Sequence, residues 1–234
     1  MPSAPFDAGH FLRGLNLFRD APEPTLARLA ASARRVHLVR GDDLFHSGDV
    51  SEGLHVLTKG QIKVYARADN GQEKVIEVVS APACIGGSLL LADVAGQGGV
   101  MRQVSHAAAL TEAHLLLLPR AQLLAELQAD PKLAVRLLAE VSGRFNRLVR
   151  DIEAVTLHTA AQRVVSYLLR TSPQAATSAC TVSLPASKGT IASLLSVTPE
   201  HFSRILHDLQ SRGLIAVNRR EIVIPDVERL AGCV

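Results

Sequence analysis

The chain has 234 residues, 47% of them hydrophobic and 20% charged, with a formal net charge of +3. That length accommodates a large domain plus a smaller one, each with its own core. So small a net charge excludes a polybasic coat, and any nucleic-acid binding must come from placed contacts instead of a general positive field. Cys84, Cys180 and Cys233 are too few and too scattered for a disulfide framework or a CxxC metal site, and an odd number fits reduced thiols. The start, Met1-Pro2-Ser3-Ala4-Pro5, lacks the basic residues and apolar run of a secretory leader, and no stretch approaches the ~18 apolar residues that cross a bilayer. A soluble cytoplasmic protein without membrane contact is expected.

In chain order, residues 26–33 carry a short amphipathic helical pattern, after which residues 35–119 change to short apolar runs broken by glycines. Strands are expected at 36–39, 54–57, 61–67, 74–79 and 107–118, with breaks at Gly41, Gly48-Asp49, Gly60 and Asp69-Asn70-Gly71. Asn70-Gly71 reads as a tight hairpin turn, since both residues tolerate the positive φ that such turns require. Many short strands at this spacing predict a barrel or jelly roll. Gly86-Gly87 followed by Gly96, Gly98 and Gly99 matches no dinucleotide or P-loop fingerprint and reads as loop.

The period changes at Pro131. Leu138, Val141, Phe145, Leu148, Ile152 and Val155 follow a 3-4-3-4-3 spacing, an apolar seam that wants a partner, while Arg136, Glu140, Arg144, Arg147, Arg150, Asp151 and Glu153 fill the other faces. The partner is either the chain's own β domain or a second copy, and a parallel homodimer is favoured because it would also pair the two C-terminal parts of the chains across a two-fold. A further helix over 158–170 buries Val164, Val165, Leu168 and Leu169, and residues 171–179 read as loop.

Residues 187–230 read as a winged helix-turn-helix. A first helix spans 189–195. Thr198-Pro199-Glu200 opens a second, with a hydroxyl at the N-cap and proline at the first helical position. Phe202, Ile205, Leu206 and Leu209 form its buried stripe, whereas Glu200, Ser203 and Arg204, at i, i+3 and i+4, project from the opposite face toward base edges. Gly213 stops the helix, and 214–217 with 221–224 alternate as two strands around Asn218-Arg219-Arg220. Arg219 and Arg220 suit phosphates at the wing tip. Ser187, Lys188, Thr190, Thr198 and His201 suit backbone contacts around the helix N-termini. The predicted division is 1–130 sensor, 131–156 dimerisation helix and 157–234 reader, an α+β chain. Asp42-Asp43 and the scattered histidines fit no GxSxG, HExxH or Walker pattern, so an enzyme is not expected.

Gly41, Gly48-Asp49 and Gly60 in the β half, then Pro199-Glu200-His201-Phe202-Ser203-Arg204-Ile205-Leu206 and Arg212-Gly213-Leu214-Ile215, resemble the superfamily of the cyclic-AMP receptor protein and the fumarate-nitrate reduction regulator (Crp/Fnr). Stretches 71–78, 163–169 and 199–209 are most similar to its dissimilatory nitrate respiration branch, sensors of nitric oxide. The resemblance implies a cyclic-nucleotide-binding-like β-roll, a long dimer helix, a winged helix, RNA polymerase as a partner and palindromic double-stranded DNA as target. It also implies that Glu200-His201-Phe202-Ser203-Arg204 reads the half-site TTGAT.

Cyclic-nucleotide binders of this superfamily use a Gly-Glu pair and an Arg-Ser or Arg-Thr pair. Here Gly86-Gly87 and Ser105-His106 stand in those places, so the charge-assisted bonds to ribose and phosphate are missing and cyclic AMP is not expected. No cysteine precedes Cys84, which speaks against the N-terminal ligands of an iron–sulfur cluster. The branch resemblance leaves haem, in an effector pocket near Gly86, Gly87, Ser105, Leu138, Val141 and Phe145. No spacing singles out an axial ligand among His10, His37, His46, His55, His106, His114 and His158. A regulator that answers a metabolite or no effector, and a signalling module that does not bind DNA, are the alternatives.

Overall fold

The computed structural model describes residues 6–87, 101–172 and 179–233. Gly96, Gly98, Gly99 and most of the loop expected at 171–179 lie outside them. Two compact units emerge: Met1–Val64 with Val79–Asn146, and Tyr65–Val78 with Arg147–Val234.

The chain begins with helices α1 (Ala8–Arg13) and α2 (Glu23–Ser32), followed by strands β1 (Arg34–Leu38), β2 (Asp43–Phe45), β3 (Gly53–Lys59), β4 (Gln61–Arg67), β5 (Glu73–Ser80), β6 (Ala83–Ile85), β7 (His106–Ala109) and β8 (Ala113–Pro119), with the end of β4 and most of β5 falling in the second unit. These form two four-stranded sheets, ordered β1-β8-β3-β6 and β2-β7-β4-β5. Helices α3 (Arg120–Ala129) and α4 (Pro131–Leu157) follow, and the boundary between the units falls within α4.

The Leu115–Leu118 part of β8, inside the β1-β8-β3-β6 sheet, is buried on both faces. From β8, Ala113 and Leu115 enter one core with Leu38, Phe45, Leu57, Ile62 and Ile85, whereas Leu116 and Leu118 enter a second with Leu54, Val56, Leu12, Phe18, Leu26, Leu123, Leu133 and Leu137. A strand covered on both sides needs no polar alternation, which is why Leu115-Leu116-Leu117-Leu118 is one apolar run. The inner face of α4 is the i, i+4, i+8 row Leu133, Leu137, Val141, and Val141 packs on this second core. Val141, expected on the intermolecular seam, therefore sits at its margin and belongs mainly to the protomer's own packing.

The strand expected over 107–118 is two strands in two different sheets. The chain changes sheets because the 110–112 turn is tied to the start of β4: Leu110 N–H donates to Gln61 O at 2.9 Å and Gln61 N–H to Thr111 Oγ1 at 3.0 Å. Gly60 permits this approach, having φ +90° and space for no Cβ, which would lie 2.2 Å from Glu112 O. At the β4–β5 turn only Gly71 takes a positive φ, +82°. Asn70 instead accepts a hydrogen bond from Gln72 N–H through its side-chain oxygen at 3.0 Å.

One buried charge joins the helices to each other. Glu126 on α3, 3% exposed, accepts from Arg28 Nε and Nη2 of α2 at 2.7 and 2.8 Å and from Gln122 Nε2 at 2.8 Å. The hydrogen bonds from Arg28 hold its carboxyl below the ordinary range, against the opposing effect of burial. A depressed folded-state pKa stabilises the fold above the unfolded value of about 4.3, and this contribution is lost as pH falls through the folded value. Glu126→Gln should cost about 1.5–3 kcal/mol at pH 7, since Arg28 can rehydrate. It should also flatten the loss of stability on acidification below about pH 4.3, as measured by urea titrations across pH.

Candidate nucleic-acid interface

The second unit contains the end of α4, helix α5 (Ala160–Thr171), strand β9 (Cys180–Ser183), helices α6 (Lys188–Leu194) and α7 (Pro199–Ser211), strands β10 (Ala216–Asn218) and β11 (Glu221–Ile224), and a short α8 (Val227–Ala231). Helix α5 has no acidic residue in its first turn but carries a full capping box: Thr159 Oγ1 accepts from Gln162 N–H at 3.2 Å and Gln162 Oε1 from Thr159 N–H at 2.8 Å. Val164, Val165, Tyr167 and Leu168 are buried, whereas Leu169, expected in the core, is half-buried. At 100° per residue, Val164, Tyr167 and Leu168 centre the buried stripe, and Leu169, four residues from Val165, lies at its edge.

Helices α6 and α7 are joined by a tight turn in which Ser196 takes φ +56°, a place where glycine is usual. Val197 N–H reaches back to Ala192 O at 3.0 Å and Ser196 N–H to Ser193 O at 3.1 Å. Arg163 of α5 locks the turn, donating from Nε to Leu195 O at 2.8 Å and from Nη2 to Ser196 O at 3.1 Å. Two carbonyls left open by the end of α6 are thus satisfied by one guanidinium. The same end is gripped by the tip of the β4–β5 hairpin: Lys74 Nζ donates to Leu194 O at 2.9 Å, and Ser193 Oγ accepts from Val75 N–H at 2.9 Å and donates to Glu73 O at 3.2 Å. Burial lowers the Lys74 pKa. Sequence reasoning missed Arg163 and Lys74, whose only signal is a cation placed to meet helix C-terminal carbonyls that are far away in sequence.

Helix α7 starts as its sequence dictates. Thr198 Oγ1 accepts from His201 N–H at 3.2 Å, and Pro199 occupies the first turn. Phe202, Ile205, Leu206 and Leu209 are buried. Glu200, Ser203 and Arg204 are exposed on the other face, one helical turn apart. At the far end Gly213, φ +65°, lets Leu214 N–H return to Leu209 O at 3.0 Å and stops the helix. Thr198→Ala should cost about 1 kcal/mol of stability and Thr198→Ser almost nothing, read from thermal denaturation.

The wing is a three-stranded sheet, β10-β11-β9, whose third strand was not expected because four residues are too few to show alternation. Arg219 sits at its tip with φ +53°, and both Arg219 and Arg220 are exposed. Ser187 caps α6, its Oγ accepting from Thr190 N–H at 3.1 Å and pairing with Thr190 Oγ1 at 2.8 Å, while Lys188 is half-buried. The hydroxyls of Ser187 and Thr190 are therefore already engaged with each other.

In the first unit, Gly86 has φ +89°, Ser105 is half-buried, and Gly87 is buried, a Cβ there lying 3.6 Å from both Leu54 Cδ1 and Leu137 Cδ1. Of the residues expected in the effector pocket, Leu138 and Phe145 are instead 56% and 63% exposed. His55 is the one buried histidine among the described residues. Burial pushes it down to about 4, so its imidazole is neutral, and its Nδ1 meets no hydrogen-bond partner. Cys84 is likewise buried, its thiol pushed up to about 12, as fits a packing role. No helix of the described residues is long and apolar enough to cross a membrane.

A two-sheet β domain joined through a long helix to a winged helix-turn-helix defines a DNA-binding transcription regulator with an effector-binding-type domain. Residues 35–130 match the cyclic nucleotide-binding domain family and residues 162–233 the Crp-like helix-turn-helix domain family. The chain is 32% identical to the crystal structure of DNR from Pseudomonas aeruginosa, covering 98% of this chain and 99% of that one at a TM-score of 0.51. It is 24% identical to the CRP-like cAMP-activated global transcriptional regulator of Mycobacterium tuberculosis over 92% of this chain and 94% of that protein. The structure of FixK2 from Bradyrhizobium japonicum shares the fold, with a TM-score of 0.73 at 20% identity over 86% of this chain and 96% of that one. The chain belongs to the Crp/Fnr family of transcription regulators, which are not enzymes.

Proposed function

We propose that this regulator binds as a homodimer to palindromic DNA of the TTGAT type, each protomer reading one half-site with Glu200, Ser203 and Arg204. The observation that carries this reading is the complete Glu-x-x-Ser-Arg set, exposed on a helix whose start is fixed by Thr198 and Pro199 and whose preceding turn is held by Arg163. The Glu200 carboxylate accepts from cytosine N4, the Arg204 guanidinium donates to guanine O6 and N7, and Ser203 assists at a thymine or phosphate. Thr198, His201, Lys188, Arg219 and Arg220 position the backbone, with Ser187 and Thr190 contributing through the α6 N-terminus. Residues 131–156 serve as the dimer helix between a sensor at 1–130 and a reader at 157–234, and RNA polymerase is the partner at the promoter.

The signal in this reading is redox or gaseous in kind and not cyclic AMP. Position 87 has no carboxylate and position 105 no guanidinium, and the surroundings of Gly87 are aliphatic. Haem, the carrier that the branch resemblance implies, does not fit the residues assigned to it: Leu138 and Phe145, exposed in the protomer, are committed to the dimer seam in this reading, and Val141 is taken up by the core. No step is therefore routed through haem, and the difference spectrum of protein supplied with haem under nitric oxide is the direct check. The DNA reading is tested by mobility shift at fixed salt on TTGAT-N4-ATCAA against a scrambled duplex. A shift confined to the palindrome is expected, and equal, salt-sensitive binding to both would overturn it.

A further inference from the structure

We infer that His37, Glu112 and His114 form a surface site for a divalent transition-metal ion of the Zn²⁺ class. His37 on β1 and His114 on β8 are direct partners in the antiparallel register, so their side chains leave the sheet on the same face, and their ring centroids are 4.7 Å apart. Glu112, from the turn before β8, joins them: its Oε1 lies 3.1 Å from His37 Nε2 and 3.5 Å from His114 Nε2. One ligand atom from each of the three residues falls within 4.8 Å of the others. Ligands on a tetrahedral Zn²⁺ with bonds of about 2.0–2.1 Å lie roughly 3.3 Å apart, so small rotamer adjustments bring these donors around one ion.

The donor chemistry is as selective as the spacing. Two imidazoles and one carboxylate are borderline nitrogen and hard oxygen ligands, a set that suits Zn²⁺ and Co²⁺ and disfavours Mg²⁺ or Ca²⁺, which take oxygen ligands. The backbone around the site is fixed. Thr58 Oγ1 donates to His114 O at 2.9 Å, and Leu110 and Thr111 of the 110–112 turn are both hydrogen-bonded to Gln61. His37 and Glu112 are exposed and His114 is half-buried, which leaves one coordination position for water. A bound ion would link β1, an edge strand of its sheet, to β8 and the turn. The competitor is Lys59, opposite His114 on β3, whose Nζ lies 3.5 Å from Glu112 Oε2 and neutralises part of the carboxylate. Its side chain is 66% exposed and able to swing away.

The test uses the untagged full chain, freed of metal with chelator, titrated with Zn²⁺ by calorimetry and with Co²⁺ by visible absorption at neutral pH. One equivalent per chain, with the d–d bands of low-coordinate Co²⁺ and a rise in melting temperature, is expected. Removing a residue that merely supports a metal ligand costs about 10–100-fold in metal affinity, so His37→Gln and His114→Gln should each weaken binding by at least roughly tenfold. Lys59→Ala should tighten it by relieving the competition, an opposite change that misfolding cannot mimic. The control His46→Ala with His106→Ala should bind as the parent does. Absence of a saturable equivalent in the parent, unchanged binding in the His37→Gln/His114→Gln double variant, or loss confined to the His46 and His106 control each overturns the assignment.

Discussion

Replacing Glu200 or Arg204 by alanine should abolish recognition of the TTGAT palindrome while leaving the fold intact. Each base contact of this kind contributes about 1–3 kcal/mol of discrimination. In a two-fold complex every substitution acts twice, so one variant loses about 2–6 kcal/mol, or roughly 30-fold to 20,000-fold in specific affinity. Both side chains are exposed and outside the Phe202, Ile205, Leu206 and Leu209 stripe, so melting temperature should not move. The result differs in kind from that at the wing. Arg219→Ala and Arg220→Ala should weaken binding to specific and scrambled duplexes alike and reduce the salt slope by about 0.9 for each phosphate no longer neutralised. Quantitative mobility shifts on both duplexes at several salt concentrations separate the two behaviours. Retained preference for the palindrome in Glu200→Ala/Arg204→Ala would remove α7 as the reading element.

Much of this architecture is legible in the residues because it depends on local rules. The helix α7 announces itself through Thr198, Pro199, an apolar stripe at 3.6 spacing and Gly213, and each acts within one or two turns of its own position. The same is true of the β4–β5 turn, although there Asn70 acts through its side chain and not its backbone. What escapes are features settled by distant parts of the chain. The break between β7 and β8 has no glycine or proline of its own; it is imposed by Gly60 and Gln61, far earlier in the chain. The four-leucine run of β8 conceals which residue faces which core, since both faces are apolar. Arg163 and Lys74 look like solvated charges in sequence, and only folding reveals that they hold the two sides of the α6 end. His37 stands far from Glu112 and His114 in sequence, and the three meet through strand register alone.

The seam of α4 makes the other large prediction. Leu138, Phe145, Leu148, Ile152 and Val155 are 56, 63, 44, 67 and 46% exposed in the protomer, although a helix of this length carries a second apolar row, Leu133, Leu137 and Val141, that the protomer does bury. A contiguous row of this kind is not left in water without a reason. Packed against its copy it would form a parallel helical pair, with the 3-4 spacing supplying alternate knobs along one line. Full burial of one such side chain contributes about 1.5–3 kcal/mol, and the two-fold doubles it. Phe145→Asp or Ile152→Asp should therefore raise the dimer dissociation constant roughly a hundredfold to ten-thousandfold, measured by sedimentation, with the circular dichroism of the protomer unchanged. Substitution on the inner row behaves otherwise: Leu137→Ala removes a fully buried side chain and should cost about 2–5 kcal/mol of protomer stability. Since a single reader holds only one half-site, the Ile152→Asp protein should also lose the palindrome's advantage over an isolated half-site. A parent chain that sediments as a monomer at the concentrations where it shifts the palindrome, or an Ile152→Asp variant that remains dimeric, would show that this face has another occupant.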